Sequence, residues 1–165
     1  MYNTGSMKKL EERIAKIYKD GCRETFEAGM ESEFSLAIEK LIHEEGVKVL
    51  IILMTYVNNP DINFEVFSEG LIWIGCTDEE DKLGIKIYRK IFLEYCLINS
   101  ISSRVKDAAG LGLAFINNPT SIPILKMAVN REAKTISGPS LKVLLQQVLD
   151  QLIETKNILG GNNDQ

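Results

Sequence analysis

Apolar residues recur along this chain at intervals of three and four, and no segment offers a convincing β alternation. The clearest stretch runs from Val105 to Pro119, with Val105, Ala108, Ala109, Gly112 and Leu113 at helical spacing. Its middle is small: Ala108, Ala109, Gly110, Gly112 and Ala114. Small residues let neighbouring helix axes approach closely. Each glycine lowers helix propensity by about 1 kcal/mol, which close packing has to offset. Asn117-Asn118-Pro119 stops the helix, because the residue before a proline is pushed out of the α region.

Other elements follow from the same periodicity. Leu10, Ile14, Ile17 and Tyr18 form a narrow stripe on a helix from Met7 to about Asp20. Gly21 ends it, or Cys22 and Phe26 carry the stripe on to Ala28 across a kink. Phe34, Ala37, Ile38, Leu41 and Ile42 define a helix over Glu33–Glu44 that Gly46 stops. Val47 to Val57 is apolar nearly all round, which fits a buried strand or a buried helix. Its length and its helical neighbours favour a central helix. A helix from Ile62 to Gly75 is expected to bury Val66, Phe67, Gly70, Leu71, Trp73 and Ile74. Thr77-Asp78-Glu79-Glu80 reads as a capping box opening a helix to about Ile98, with Leu83, Ile87, Ile91 and Tyr95 as its apolar stripe. Ser121 to Ala133 is a shorter helix with Pro123 in its first turn. Leu141, Leu144, Leu145, Val148, Leu149, Leu152 and Ile153 make a strong final helix.

Internal similarity suggests an architecture. At an offset of 39 residues Val105 meets Val66, Ile101 meets Ile62, Ala109 meets Gly70, Leu113 meets Ile74 and Ala114 meets Gly75. Small meets small, and large meets large. A competing offset of 59 pairs Asn58-Asn59-Pro60 with Asn117-Asn118-Pro119. The offset of 39 is preferred because it matches a helix interior and not one turn. A period near 40 with two helices per unit is that of HEAT and armadillo arrays.

The run Val105-Lys106-Asp107-Ala108-Ala109-Gly110-Leu111-Gly112-Leu113-Ala114, with Asn118-Pro119 and Ile122-Pro123-Ile124-Leu125, resembles the HEAT-like repeat of the bilin lyase type. The resemblance is strongest over 101–155, weaker over 62–98 and weakest before that. Ala114 and Asn117 stand where the family often has glycine. The resemblance implies an all-α right-handed superhelix, a HEAT/armadillo-like solenoid of about three helix pairs plus N- and C-terminal helices. Residues 32–157 would form it, after a flexible leader and N-terminal helix over 1–31 and before a disordered tail over 158–165. It implies a non-catalytic scaffold that binds other proteins, and it transfers no catalytic residue. Many bacterial proteins with this repeat lack lyase activity. A bilin lyase-like subunit or pigment-protein chaperone is the enzyme-side alternative. An inhibitor of one cognate protein is a narrower binding alternative.

Composition narrows the classes. At 165 residues the chain is long enough for one domain with a sizeable core. A net charge of −4 argues against broad binding to nucleic acid or to an anionic membrane. The longest apolar run, Val49 to Met54, is far too short to span a bilayer. Met1 to Ser6 reads as a leader, with Met7 as a natural start. Cys22, Cys76 and Cys96 are odd in number and widely spaced, as expected of reduced thiols in a cytoplasmic protein.

Candidate chemistry is sparse. His43, the single histidine, falls opposite the Phe34/Ile38/Leu41 stripe and is read as an exposed structural residue. Gly110-Leu111-Gly112 is a fragment of a phosphate-loop pattern inside a helix and reads as close packing. Asp78, Glu79 and Asp81 lack the alternating ligands of a calcium loop. Cys76 precedes a helix start and Trp73 lies on an apolar face; both read as structural. No catalytic residue, metal or cofactor is assigned. One surface stands out: at 100° per residue Lys82, Lys86, Arg89 and Lys90 share one arc of their helix, and Lys126 and Arg131 follow on the next. These six are expected to form a basic ridge that docks an acidic surface of a protein partner, with Arg89 making a bidentate carboxylate contact.

Overall fold

The computed structural model describes residues 4–25, 31–76, 84–132 and 139–161. Among them every regular element is a helix: α1 (Thr4–Gly21), α2 (Glu33–Glu45), α3 (Val47–Met54), α4 (Phe64–Cys76), α5 (Ile85–Asn99), α6 (Ser103–Ile116), α7 (Ile122–Glu132) and α8 (Pro139–Gly161). A single 3-10 turn, Pro119–Ser121, joins α6 to α7.

The helix ends follow local chemistry. Ser32 caps α2: its hydroxyl accepts from the Ser35 amide at 3.0 Å. The Glu24 carboxylate accepts from the Glu33 amide at 2.7 Å. Gly46, at φ +67°, ends α2 and starts α3 with no loop between them. Ser102 caps α6, and Asn117 ends it in the left-handed region at φ 49°.

The helices stack in two rows. In the first row α2 packs on α4, α4 on α6 and α6 on α8. In the second α3 packs on α5, and α5 on α7. α1 closes one end against α2, α3 and α4. The tightest seam joins α4 to α6. A Cβ added to Gly75 would run into the backbone of Gly112, and one added to Gly112 would lie 3.0 Å from the Leu71 carbonyl oxygen. On its other side α6 sets Gly110 against Leu145 of α8, where a Cβ would meet the leucine methyl at 2.8 Å. The small residues of α6 are therefore used on two sides.

At the α1 end an aromatic cluster forms the joint. The Tyr18 ring stands edge-on to Phe34 and to Tyr56, with centroids 6.2 and 5.7 Å away, and Tyr56 stacks on Phe67. The Tyr18 hydroxyl accepts from the Asn63 amide. Burial, with a hydrogen bond to Cys22 next, pushes the Tyr18 phenol up to about 12. Arg13 ties α1 to the end of α2 through Glu44 at 2.5 Å and Glu45 at 3.2 Å.

Several expected boundaries change. α1 begins at Thr4, inside the expected leader, and stops at Gly21, so no kinked extension to Ala28 forms through the described residues. α3 ends at Met54, with turns over 55–58, and its Ile51 faces solvent, so this helix is not buried all round. α5 begins at Ile85 because Gly84 sits in the left-handed region and breaks the helix there. The expected capping box over 77–80 lies outside the described residues. α8 continues to Gly161, through part of the stretch expected to be a tail.

Candidate docking face

Helix α5 decides how the surface looks, and its faces are the reverse of the expected ones. Two apolar sets compete for the interior on this helix. Ile87, Ile91 and Tyr95 are spaced by four; Phe92, Leu93, Cys96 and Leu97 make a denser quartet at i, i+1, i+4 and i+5. The quartet is buried. Followed one turn toward the N-terminus, its face passes through Arg89 and Lys90, which are consequently only 7% and 6% exposed. The other set turns outward: Ile87 is 46% exposed, Tyr88 47%, Ile91 44% and Tyr95 37%.

Burying two cations requires partners, because an unpaired charge away from water is strongly penalised. Arg89 makes the bidentate carboxylate contact expected of it, but within the chain. Its two terminal nitrogens reach the two oxygens of Glu39 on α2 at 2.7 and 2.8 Å. One of them also donates to the Ile74 carbonyl at 3.2 Å, in the last turn of α4 where carbonyls lack intrahelical partners. Lys90 pairs with Glu94 at 2.9 Å, and the same carboxylate oxygen accepts from the Ser121 hydroxyl at 2.7 Å. Lys106 and the buried Glu132 form a third pair at 2.6 Å, joining α6 to α7.

The expected basic ridge is thus not built as one surface. Lys82 lies outside the described residues. Arg89 and Lys90 are interior. Lys86, Lys126 and Arg131 are exposed, the first on α5 and the other two on α7. By helical geometry Lys86 stands on the opposite side of α5 from Tyr88. Arg131 donates to the Ile98 carbonyl at 3.3 Å, which holds its guanidinium at the C-terminal end of the exposed α5 stripe.

Sequence reasoning missed the outward apolar face. The signal was present in the denser quartet and in Glu94, four residues after Lys90 and so placed to neutralise it.

The remaining candidates fall into structural places. His43 is exposed, as expected from its position opposite the stripe. Gly110-Leu111-Gly112 lies within α6. Trp73 and Cys76 are half-buried, and Cys96 is buried, which pushes its thiol far above the usual range. Asp78, Glu79 and Asp81 lie outside the described residues. Among the described residues no group of three His, Cys, Asp or Glu could hold a metal ion, and no helix is long and apolar enough to cross a membrane. In comparison with known proteins, no family model, no curated protein and no solved structure matches the chain.

Proposed function

We propose that this protein is a non-catalytic protein-binding module, built as a short right-handed α-solenoid of the HEAT-like kind. Three things support the architecture. Alternate helices stack in two rows. The offset of 39 residues lays α4 on α6, which are the most closely joined helices. The run over 105–125 resembles a HEAT-like repeat. The three cysteines, exposed, half-buried and buried in turn, form no disulfide with one another, which fits a reducing compartment such as the cytoplasm.

One observation carries the binding role. α5 buries two cations while turning Ile87, Tyr88, Ile91 and Tyr95 outward. A helix placed only for stability would do the opposite, since burial of an isoleucine contributes about 1.5–3 kcal/mol and an ion pair taken from water contributes little. An apolar face left on the surface in this way is the usual mark of a contact surface.

The test is site-specific photo-cross-linking in the native cell. A cross-linker at Tyr95 is expected to give a discrete adduct that disappears when Ile87→Asp is added. A cross-linker at Lys16, exposed on α1, is expected to give none. No adduct from Tyr95, or the same adduct from both positions, would overturn the reading.

A further inference from the structure

The α5 face invites a more specific assignment, which rests on the protein-binding reading above. We propose that it docks an acidic amphipathic helix of a partner protein.

The shape selects a helix. Ile87, Ile91, Tyr95 and Tyr88 span an arc of roughly 100° and a length of about 12 Å. That is a ridge matched to apolar anchors at i, i+4 and i+7 on a second helix. An aromatic side chain presents about 150–250 Å², so two tyrosines and two isoleucines less than half exposed offer on the order of 300 Å².

The charge selects acidity. The second-row helices α3, α5 and α7 contain two carboxylates, and both are turned inward. Glu94 is held by Lys90 and Ser121, and Glu132 by Lys106. The exposed charges on α7 are cationic, Lys126 and Arg131, whereas Lys48 on α3 is paired with Glu45 at 3.9 Å. Arg131 is fixed at the end of the stripe by its bond to Ile98. This row is cationic on a chain whose net charge is −4. Among the described helices, the exposed carboxylates stand elsewhere, on α1, α2, α4 and α8. A basic helix would meet like charge at the end of the stripe, whereas Asp or Glu flanking the anchors there would face Arg131.

The experiment uses a display library of helical 15-residue peptides, selected on the full chain and counter-selected on Ile91→Asp after circular dichroism shows that the variant is folded. Peptides that depend on Ile91 are expected to be net negative, with apolar residues at i, i+4 and i+7. The strongest of them should lose at least tenfold in affinity against Lys126→Glu with Arg131→Glu, and should weaken with added salt. Neutral or basic selected peptides, or affinity that ignores the double substitution, would overturn the proposal. So would micromolar self-association abolished by Ile91→Asp, which would assign the face to a second copy. An adduct at Tyr95 together with basic selected peptides removes only the acidic partner. Loss of both the adduct and the Ile91-dependent peptides removes the binding reading as well.

Discussion

Gly75 and Gly112 set the closest approach in the molecule, and the contact is between backbones. A methyl group at Gly75 meets the Gly112 Cα and carbonyl, neither of which can rotate away. Gly75→Ala should therefore force α4 from α6. Alanine regains about 1 kcal/mol of helix propensity. Overpacking costs about 1–3 kcal/mol and more when backbone has to move, so a net loss is expected. Thermal denaturation checks it, and an unchanged midpoint would mean that the seam opens without penalty. The second residue-scale case is Arg89. Glu39→Gln leaves a guanidinium buried beside a neutral amide, which should destabilise by about 3–5 kcal/mol. Replacing both members, Glu39→Leu with Arg89→Leu, should recover most of that loss in urea titrations. A double variant no better than the single would show that the Ile74 contact matters more than the pair. Asp107 gives a pH dependence. Burial raises its carboxyl pKa above the ordinary value. Its charged form therefore weakens the fold above that raised pKa, and the effect fades as pH falls through it toward the unfolded value. Asp107→Asn should raise the melting temperature at pH 7, with the gain vanishing by about pH 4.

At the scale of elements, α5 shows what could and could not be read ahead of the structure. Most helices were legible because one apolar stripe faced one interior: the α2 stripe of Phe34, Ile38, Leu41 and Ile42 is buried as expected. The stop at Asn117-Asn118-Pro119 was legible because a proline restricts the residue before it. α5 carries two stripes, and a helical wheel weighs both without knowing which side meets α6. Nor does the wheel know that Glu39, fifty residues earlier, neutralises Arg89. A charged residue was read as wet because most are, and the partner that makes it dry is distant in sequence. The break at Gly84 was missed because glycine inside an otherwise helical pattern is often tolerated. The reversal leads to a prediction. Ile91→Asp puts a charge where the expected stripe would be core, yet in this structure the site is open to water. Its stability change should stay within about 0.5 kcal/mol, as for ordinary surface substitutions. Leu93→Asp, two residues on and on the buried side of the helix, should unfold the domain. Equal effects in chemical denaturation would mean that the two faces of α5 are not distinct.

At the scale of the whole molecule, the helices stack in two rows, and a helix lies against each end. α1 covers one end with Leu10 and Ile14, while α8 covers the other with Leu141, Leu145, Val148, Leu149 and Leu152. The two covers differ in weight. Five buried aliphatic side chains at about 1.5–3 kcal/mol each approach or exceed the whole stability of an ordinary domain, about 5–15 kcal/mol. Deleting residues 139–165 would also expose Gly110 and the α8-facing side of α6, so the shortened chain is expected to lose cooperative unfolding and to aggregate. The far end of α8 behaves differently. Gln151 donates to the Ala114 carbonyl at 2.9 Å, and Thr155 donates to the Asn117 side chain at 3.1 Å, which ties this part of α8 to the end of α6. Beyond them Ile158 and Leu159 are exposed. A chain ending at Lys156 should therefore keep its melting temperature within a few degrees, since surface changes rarely exceed about 0.5 kcal/mol. Circular dichroism melts of the two truncations decide the matter. A folded, monomeric 1–138 fragment would show that the rows stand without a cover. A 1–156 chain that melts far below the full chain would show that the last turn and a half of α8 contribute more than their exposure allows.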